Sequence, residues 1–231
     1  MLGADEAGKG PVLGPMVAAA VRADPAAIPE DVDDSKRLSP ARRKALDAVL
    51  REDDRVAVAV SLVGVDRIDD PGTDMNTLTV AGQAEALAAV ARDGDRAVVD
   101  AGDVSESRFA SRVADAVASG GGSTDAPDGG ATGVAVEVTA EHGADESYPV
   151  VAAASVVAKV ERDRVVAELD AEYRARGYEG IGSGYPSDPN TREFLREFVA
   201  HEGDLPECAR TSWSTCDDVL AANEQSALGE F

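Results

Sequence analysis

Four acidic residues stand at the ends of short apolar segments or among small residues: Asp5 and Glu6, then Asp100, then Asp145. Asp5 and Asp100 close strand-like apolar runs, where a solvated acid has little packing reason to stand. In an open α/β sheet, ligands bind in the crevice beyond the carboxyl ends of strands. Several carboxylates converging there cannot all ionise unless cations neutralise them. Hard divalent ions with oxygen ligands do so, and two of them about 3.5–4 Å apart would clamp the attacking and leaving oxygens of a phosphodiester. Consecutive strand residues face opposite ways, so Asp5 and Glu6 share a site only if the strand ends or bends there, which Gly8 allows. Composition alone leaves scattered surface acids as the alternative. His142, His201, Cys208 and Cys216 show no zinc-type spacing, so the thiols read as structural and any metal must be held by carboxylates.

The elements that must position these acids follow from periodicity. Leu2 to Glu6 reads as a strand, the Gly8-Lys9-Gly10-Pro11 turn leads to a second over Val12 to Val21, and Arg55 to Val63 alternates as a third. Ser39-Pro40 is an N-cap followed by proline at the first helical position. Helices are expected at about Asn76 to Arg92, Ser107 to Ala118 and Pro149 to Arg176, with strands at Ala97 to Asp100 and Val134 to Thr139. Ser119 to Gly133 is a loop rich in Gly, Ser, Asp and Thr, and Gly177 to Asp188 is another loop. Helical stretches near Arg192 to His201 and Ser214 to Asn223 finish an α/β layered domain. Aromatics make up only 4% of the chain, so Val, Ala and Leu must fill most of the core.

The net charge is −22, from 44 Asp and Glu against 22 Lys and Arg. Read naively, that excludes nucleic acid, whose phosphates need Lys and Arg. Only four lysines exist, however: Lys9, Lys36, Lys44 and Lys159. Replacement of surface lysine by carboxylate fits a protein working at molar salt, where screening acts over about 3 Å. The charge then reports a halophilic solvent rather than the ligand. No apolar run reaches the roughly 18 residues of a membrane span. No basic region precedes an apolar leader, so a cytoplasmic location without membrane association is expected.

Several motifs together carry a family resemblance. They are Ala4-Asp5-Glu6-Ala7-Gly8-Lys9-Gly10-Pro11, Asp34-Ser35-Lys36-Arg37-Leu38, Met75-Asn76-Thr77-Leu78, Val99-Asp100-Ala101 and Ala144-Asp145. The run from Ala152 to Asp163 and Gly182-Ser183-Gly184-Tyr185-Pro186-Ser187-Asp188-Pro189 complete the set. In family order, from residue 3 to about 213, the chain resembles type II ribonuclease H (ribonuclease HII) in its archaeal branch.

The resemblance implies a ribonuclease-H-like fold: a mixed five-stranded sheet flanked by helices, with residues 1–205 catalytic and 206–224 a C-terminal helical extension. It implies hydrolysis of the RNA strand of RNA–DNA hybrids and incision 5′ of ribonucleotides embedded in duplex DNA, leaving 5′-phosphate and 3′-hydroxyl ends. Asp5, Glu6, Asp100 and Asp145 match the family's catalytic carboxylates, which hold Mn²⁺ or Mg²⁺, two ions per site. Gly8, Lys9 and Gly10, with Tyr185, match the part that reads the ribose 2′-hydroxyl. Glycines let backbone groups approach a sugar, and that hydroxyl both donates and accepts. Ser35, Lys36, Asn76, Ser155 and Lys159 resemble substrate-backbone contacts, while Asp163 reads as a structural pair on an arginine-rich helix. Lys9 stands where arginine is commoner and Gly143 where archaeal relatives often carry lysine. Tyr185, and Met1 only four residues before Asp5, favour type II over type III.

Residues 225–231 form a tail in which Gln225, Leu228 and Phe231 have the spacing of the short peptide that repair enzymes dock on a sliding clamp. One 3₁₀ turn would put Leu228 and Phe231 on one side. A monomer is expected. The competing readings are another nuclease of the same fold, such as a junction resolvase, and a non-enzymatic acidic binding protein.

Overall fold

Leu2–Ala7 (β1) alternates its side chains across the middle of a five-stranded sheet. Met16–Arg22 (β2) and Ala57–Val63 (β3) extend it in antiparallel register on one side. Arg96–Asp100 (β4) and Glu137–Glu141 (β5) extend it in parallel on the other. The mixed α/β fold read from the sequence is therefore the one formed. The computed structural model describes residues 1–34, 38–120 and 133–228. They fall into two compact units: Met1–Ala7, Met16–Val63 and Asp74–Glu161 in the first, and Gly8–Pro15, Gly64–Thr73 and Arg162–Phe231 in the second.

In the first unit, period-2 alternation divides the core between the two faces of the sheet. Leu2, Ala4, Ala97, Val99 and Ala140 pack with Val80, Ala84 and Leu87 of α3 (Met75–Val90) and with Phe109, Val113 and Val117 of α4 (Glu106–Ala118). Val17, Ala19, Val21 and Val98 face the other way, onto Leu46 and Leu50 of α1 (Pro40–Glu52) and the Val150–Ala158 stretch of α5 (Pro149–Ala175). Gly3 lets α5 sit against the strand, since a Cβ there would fall 2.4 Å from the backbone carbon of Val150. Ser39 caps α1 by accepting the N–H of Arg42, as its sequence predicts.

The second unit concentrates most of the aromatic side chains. Tyr173, Tyr178, Phe194 and Phe198 meet at centroid separations of 4.9–6.2 Å, most of them edge to face. Val12, Leu13, Ile181 and Leu195 complete this core, together with residues from α6 (Pro189–Glu202) and α7 (Ser214–Leu228). A short helix, α2 (Val65–Ile68), has no counterpart in the sequence reading. Asp69 just after it accepts four hydrogen bonds from the backbone and hydroxyl groups of Thr211 and Ser212.

Three sequence expectations shift. The second strand begins at Met16 rather than Val12. The N–H groups of Val12 and Leu13 go to Gly184 O, and that of Gly14 goes to Cys208 O, so this segment forms no ladder with a neighbouring strand. The fifth strand starts at Glu137 rather than Val134, because Ala135 pairs with Asp93 and Gly94 in a turn. Helix α7 runs to Leu228, past the expected end at Asn223, so Gln225 continues the helix and Phe231 lies outside the described residues. The loop at 119–133 also lies largely outside them. No helix among the described residues is long and apolar enough to cross a membrane.

Candidate active site

Asp5 leaves β1 on the α5 face and is 6% exposed. Its carboxylate hydrogen-bonds to the buried Ser155 hydroxyl of α5, which in turn accepts from Lys159 Nζ at 2.5 Å. Burial raises the Asp5 pKa to about 8; the charges of Glu6 and Asp100 push the same way, against Ser155 and Lys159. Asp5 Oδ1 also accepts the N–H of Glu6 at 2.7 Å.

The strand neither ends nor bends between the two acids. β1 keeps its antiparallel register with β2 through Ala7, so Glu6 points to the opposite face, toward α3. The two still share one edge, because pairing of β1 with β4 stops at Ala4 and Val99. Gln83 of α3 closes the gap. Its Nε2 donates to Glu6 Oε2 at 2.6 Å and to the Asp100 carbonyl at 3.1 Å. Sequence reasoning missed Gln83; the available signal was an amide set among the mostly small and apolar residues of Val80–Leu87, and the structure buries it fully.

Asp100 ends β4 on the face shared with Asp5 and accepts the N–H of Ala144 at 2.9 Å. That bond tethers the 3₁₀ turn Ala144–Glu146, which carries the buried Asp145. Gly143 begins the turn at φ +67°, a left-handed conformation that a lysine would occupy only with strain. His142 braces the same loop: its N–H and Nδ1 meet Glu106 Oε1, both at 2.8 Å, and its Nε2 meets the Asp103 carbonyl at 2.9 Å.

Glu6 and Asp100 thus both lie within electrostatic reach of Asp5, with the turn of Asp145 tied to Asp100. Among the described residues, no three His, Cys, Asp or Glu side chains are gathered into a chelating cluster. The donor set nonetheless suits a hard divalent ion: all four groups are carboxylates, and burial, with the charges of Glu6 and Asp100, makes Asp5 hold its proton tightly. Ser155 and Lys159 stand beside Asp5. Asn76 is exposed on the first turn of α3, and none of the hydrogen bonds described around the acids involves it. Ser35 and Lys36 lie outside the described residues.

In the second unit, Gly8, Lys9 and Gly10 form a turn on which Tyr185 closes. A Cβ on Gly10 would lie 3.8 Å from Tyr185 Cε1, and the tyrosine ring is itself 41% exposed. The guanidinium of Arg162 sits 5.2 Å from the centre of that ring and donates to Ser183 O. Gly8, at φ +90°, leaves room for it, because a Cβ there would reach Arg162 Nε at 2.7 Å. Arg210 is fully buried behind the turn; burial, with Arg162 nearby, lowers its pKa to about 10, so it stays charged at neutral pH. Asp163 is exposed next to Arg162. Cys208 and Cys216 are buried thiols whose pKa burial raises to about 11.

The chain matches the protein family described as Ribonuclease HII over residues 2–216. It is similar to the ribonuclease HII of Haloarcula marismortui, with 58% identity over 229 residues, 99% of this chain and 99% of that one. It also resembles the solved ribonuclease H2 from Pyrococcus horikoshii OT3, with a TM-score of 0.77 and 35% identity over 97% of this chain and 99% of that chain. A third relative is the ribonuclease in the PCNA:RNase HII complex from Archaeoglobus fulgidus, with a TM-score of 0.74 and 34% identity over 94% and 95% of the two chains.

Proposed function

The chain belongs to the ribonuclease HII family and is a ribonuclease H hydrolase acting on RNA–DNA hybrids; on that premise we propose that it also incises duplex DNA 5′ of an embedded ribonucleotide, leaving 5′-phosphate and 3′-hydroxyl ends. Asp5, Glu6, Asp100 and Asp145 would hold two divalent ions, Mn²⁺ or Mg²⁺. When bound, such ions generate a nucleophile at neutral pH and stabilise charge on the phosphate. The observation that carries this reading is the buried Asp5 carboxyl beside Glu6 and Asp100, where the pairing of β1 with β4 ends.

The remaining roles are part of the same proposal. Ser155 and Lys159 contact the substrate backbone and also orient the Asp5 carboxylate, and Gln83 orients Glu6. Gly8, Lys9, Gly10 and Tyr185 contact the sugar that carries the 2′-hydroxyl, while Ser35, Lys36 and Asn76 contact the substrate backbone. Gln225, Leu228 and Phe231 dock the enzyme, a cytoplasmic monomer, on a sliding clamp; the PCNA complex of the Archaeoglobus fulgidus relative supports this.

A duplex carrying one embedded ribonucleotide, incubated with Mn²⁺ or Mg²⁺ at several KCl concentrations and resolved to single nucleotides, tests the proposal. Metal-dependent cleavage on the 5′ side of the ribonucleotide is expected. Cleavage elsewhere, or of all-DNA four-way junctions in preference, overturns it.

A further inference from the structure

Arg210 is among the largest fully buried side chains of the protein, and its described hydrogen bonds go to carbonyl oxygens rather than to a carboxylate. Nη2 donates to Gly8 O at 2.6 Å, Nη1 to Lys9 O at 2.9 Å and Nε to Gly14 O at 2.9 Å. Its own backbone N–H donates to Val12 O at 2.8 Å. The neighbouring Asp69 carboxylate is occupied by Thr211 and Ser212. Burying a cation without an ion-pair partner is costly, and an apolar residue of similar volume would fill the space with less desolvation. The Trp213 ring, 5.1 Å from the guanidinium, and the Asp69 charge offset part of that cost; beyond volume, the planar fork serves to hold three carbonyls of the turn.

That purpose follows from peptide geometry. In a trans peptide the C=O and the next N–H point in opposite directions, and no cis bond occurs among the described residues. The carbonyl of Gly8 points at Arg210, so the N–H of Lys9 in the same peptide plane points away from it. The Lys9 carbonyl likewise turns the N–H of Gly10 away. The later amides of the segment are sorted otherwise: those of Val12 and Leu13 go to Gly184 O and that of Gly14 to Cys208 O. Successive N–H groups facing one way make a concavity that accepts an oxygen, and a cation on the carbonyl ends polarises the same peptides and strengthens their donors.

We propose that Arg210 is a positioning residue that sets the Lys9 and Gly10 amides to receive the ribose 2′-hydroxyl. The inference rests on the reading that the turn at residues 8–10 recognises that sugar. Lysine cannot substitute, because its ammonium is a point charge without the planar fork that spans three carbonyls.

The test measures binding without metal, in EDTA, to a duplex with one ribonucleotide and to the all-DNA duplex of the same sequence. Arg210→Lys is expected to bring the affinity ratio close to one while changing all-DNA affinity by less than about twofold. A purely structural role would weaken both duplexes together or neither. Gly10→Ala serves as the control on the turn itself. If it loses the preference while Arg210→Lys keeps it, the turn reads the sugar without Arg210 and the proposal is overturned. If both variants keep the preference, the reading of the turn fails and the proposal with it. Should Arg210→Lys not fold, amide resonances of the wild-type protein decide. Those of Lys9 and Gly10 should move on adding the ribonucleotide duplex but not the all-DNA duplex, with Val12 to Gly14 unmoved; stationary Lys9 and Gly10 resonances overturn the proposal.

Discussion

Gln83 Nε2 lies 2.6 Å from Glu6 Oε2, so an acid on one face of the sheet is held by an amide of the helix covering that face. Since the same nitrogen also reaches the Asp100 carbonyl, the ends of β1 and β4 are held in register where their own pairing has ceased. Gln83→Leu should reduce kcat about tenfold through loss of this orientation. The unfolding free energy should move by about 1 kcal/mol or less, because the buried Gln83 Oε1 has no hydrogen-bond partner among the described residues. Steady-state kinetics with chemical denaturation at high KCl would check both, and an unchanged kcat would remove Gln83 from the site.

Asp5→Asn should lower cleavage at least about 100-fold by removing a charged ligand, yet stabilise the metal-free protein. A tenfold change in proton affinity is worth about 1.4 kcal/mol, and burial raises the Asp5 carboxyl well beyond that, to about 8. The sign follows from linkage. The folded state holds this proton more tightly than the unfolded state, so metal-free stability falls as pH rises from about 4 to about 8. Metal binding releases the proton, so apparent Mn²⁺ affinity should climb over the upper part of that range. Thermal melts and metal titrations at pH 6 and pH 8 measure this; a pH-independent affinity would contradict it.

Tyr185→Ala should impair cleavage at a single embedded ribonucleotide by about tenfold, with Tyr185→Phe less affected because the ring still rests on Arg162. Equal rates for the wild type and both variants would place Tyr185 outside the contact with the sugar.

Thermal stability should be lower at about 0.1 M KCl than at about 2 M, since low salt leaves the net charge of −22 unscreened. Substrate affinity should fall with salt in the opposite sense, with a log–log slope of about −0.9 per phosphate contact. The haloarchaeal relatives fit this solvent. A melting temperature no lower at the low-salt end would exclude halophilic adaptation as the cause of the charge.

Removing residues 225–231 should abolish binding to the cognate sliding clamp and leave cleavage of a short oligonucleotide within about twofold of wild type. The cut begins inside α7, so the helical signal should be compared before and after truncation. Undiminished clamp affinity in the shortened protein would sink the docking assignment.

Local chemistry made much of this molecule legible. The Ser39 cap, the Gly-rich stretch before α6 and the period-2 runs of the sheet each depend on residues within a few positions of one another. Asp5 and Asp100 could be singled out because charge at the end of an apolar run is locally anomalous. Gln83 and Arg210 were not legible as partners, because their hydrogen bonds close over 77 and 202 residues. The misplaced start of the second strand has the same origin: Val12 to Gly14 are apolar enough for a strand, but distant backbone groups satisfy their amides. Glu6 is the instructive case. Alternation correctly sent it to the opposite face from Asp5, and only the early end of the β1–β4 pairing shows how the two acids still share an edge.

The 202-residue span between Gly8 and Arg210 also imposes an order in time. Translation proceeds from the N-terminus at about 5–20 residues per second, so the carbonyls of Gly8 and Lys9 leave the ribosome many seconds before the guanidinium that fixes them. For that interval the turn has its sequence but not its hydrogen bonds, and Thr211 and Ser212 have yet to reach Asp69. A growing chain, or one released early by a premature stop codon, therefore carries all four acids before the carbonyls of Gly8 and Lys9 have met Arg210.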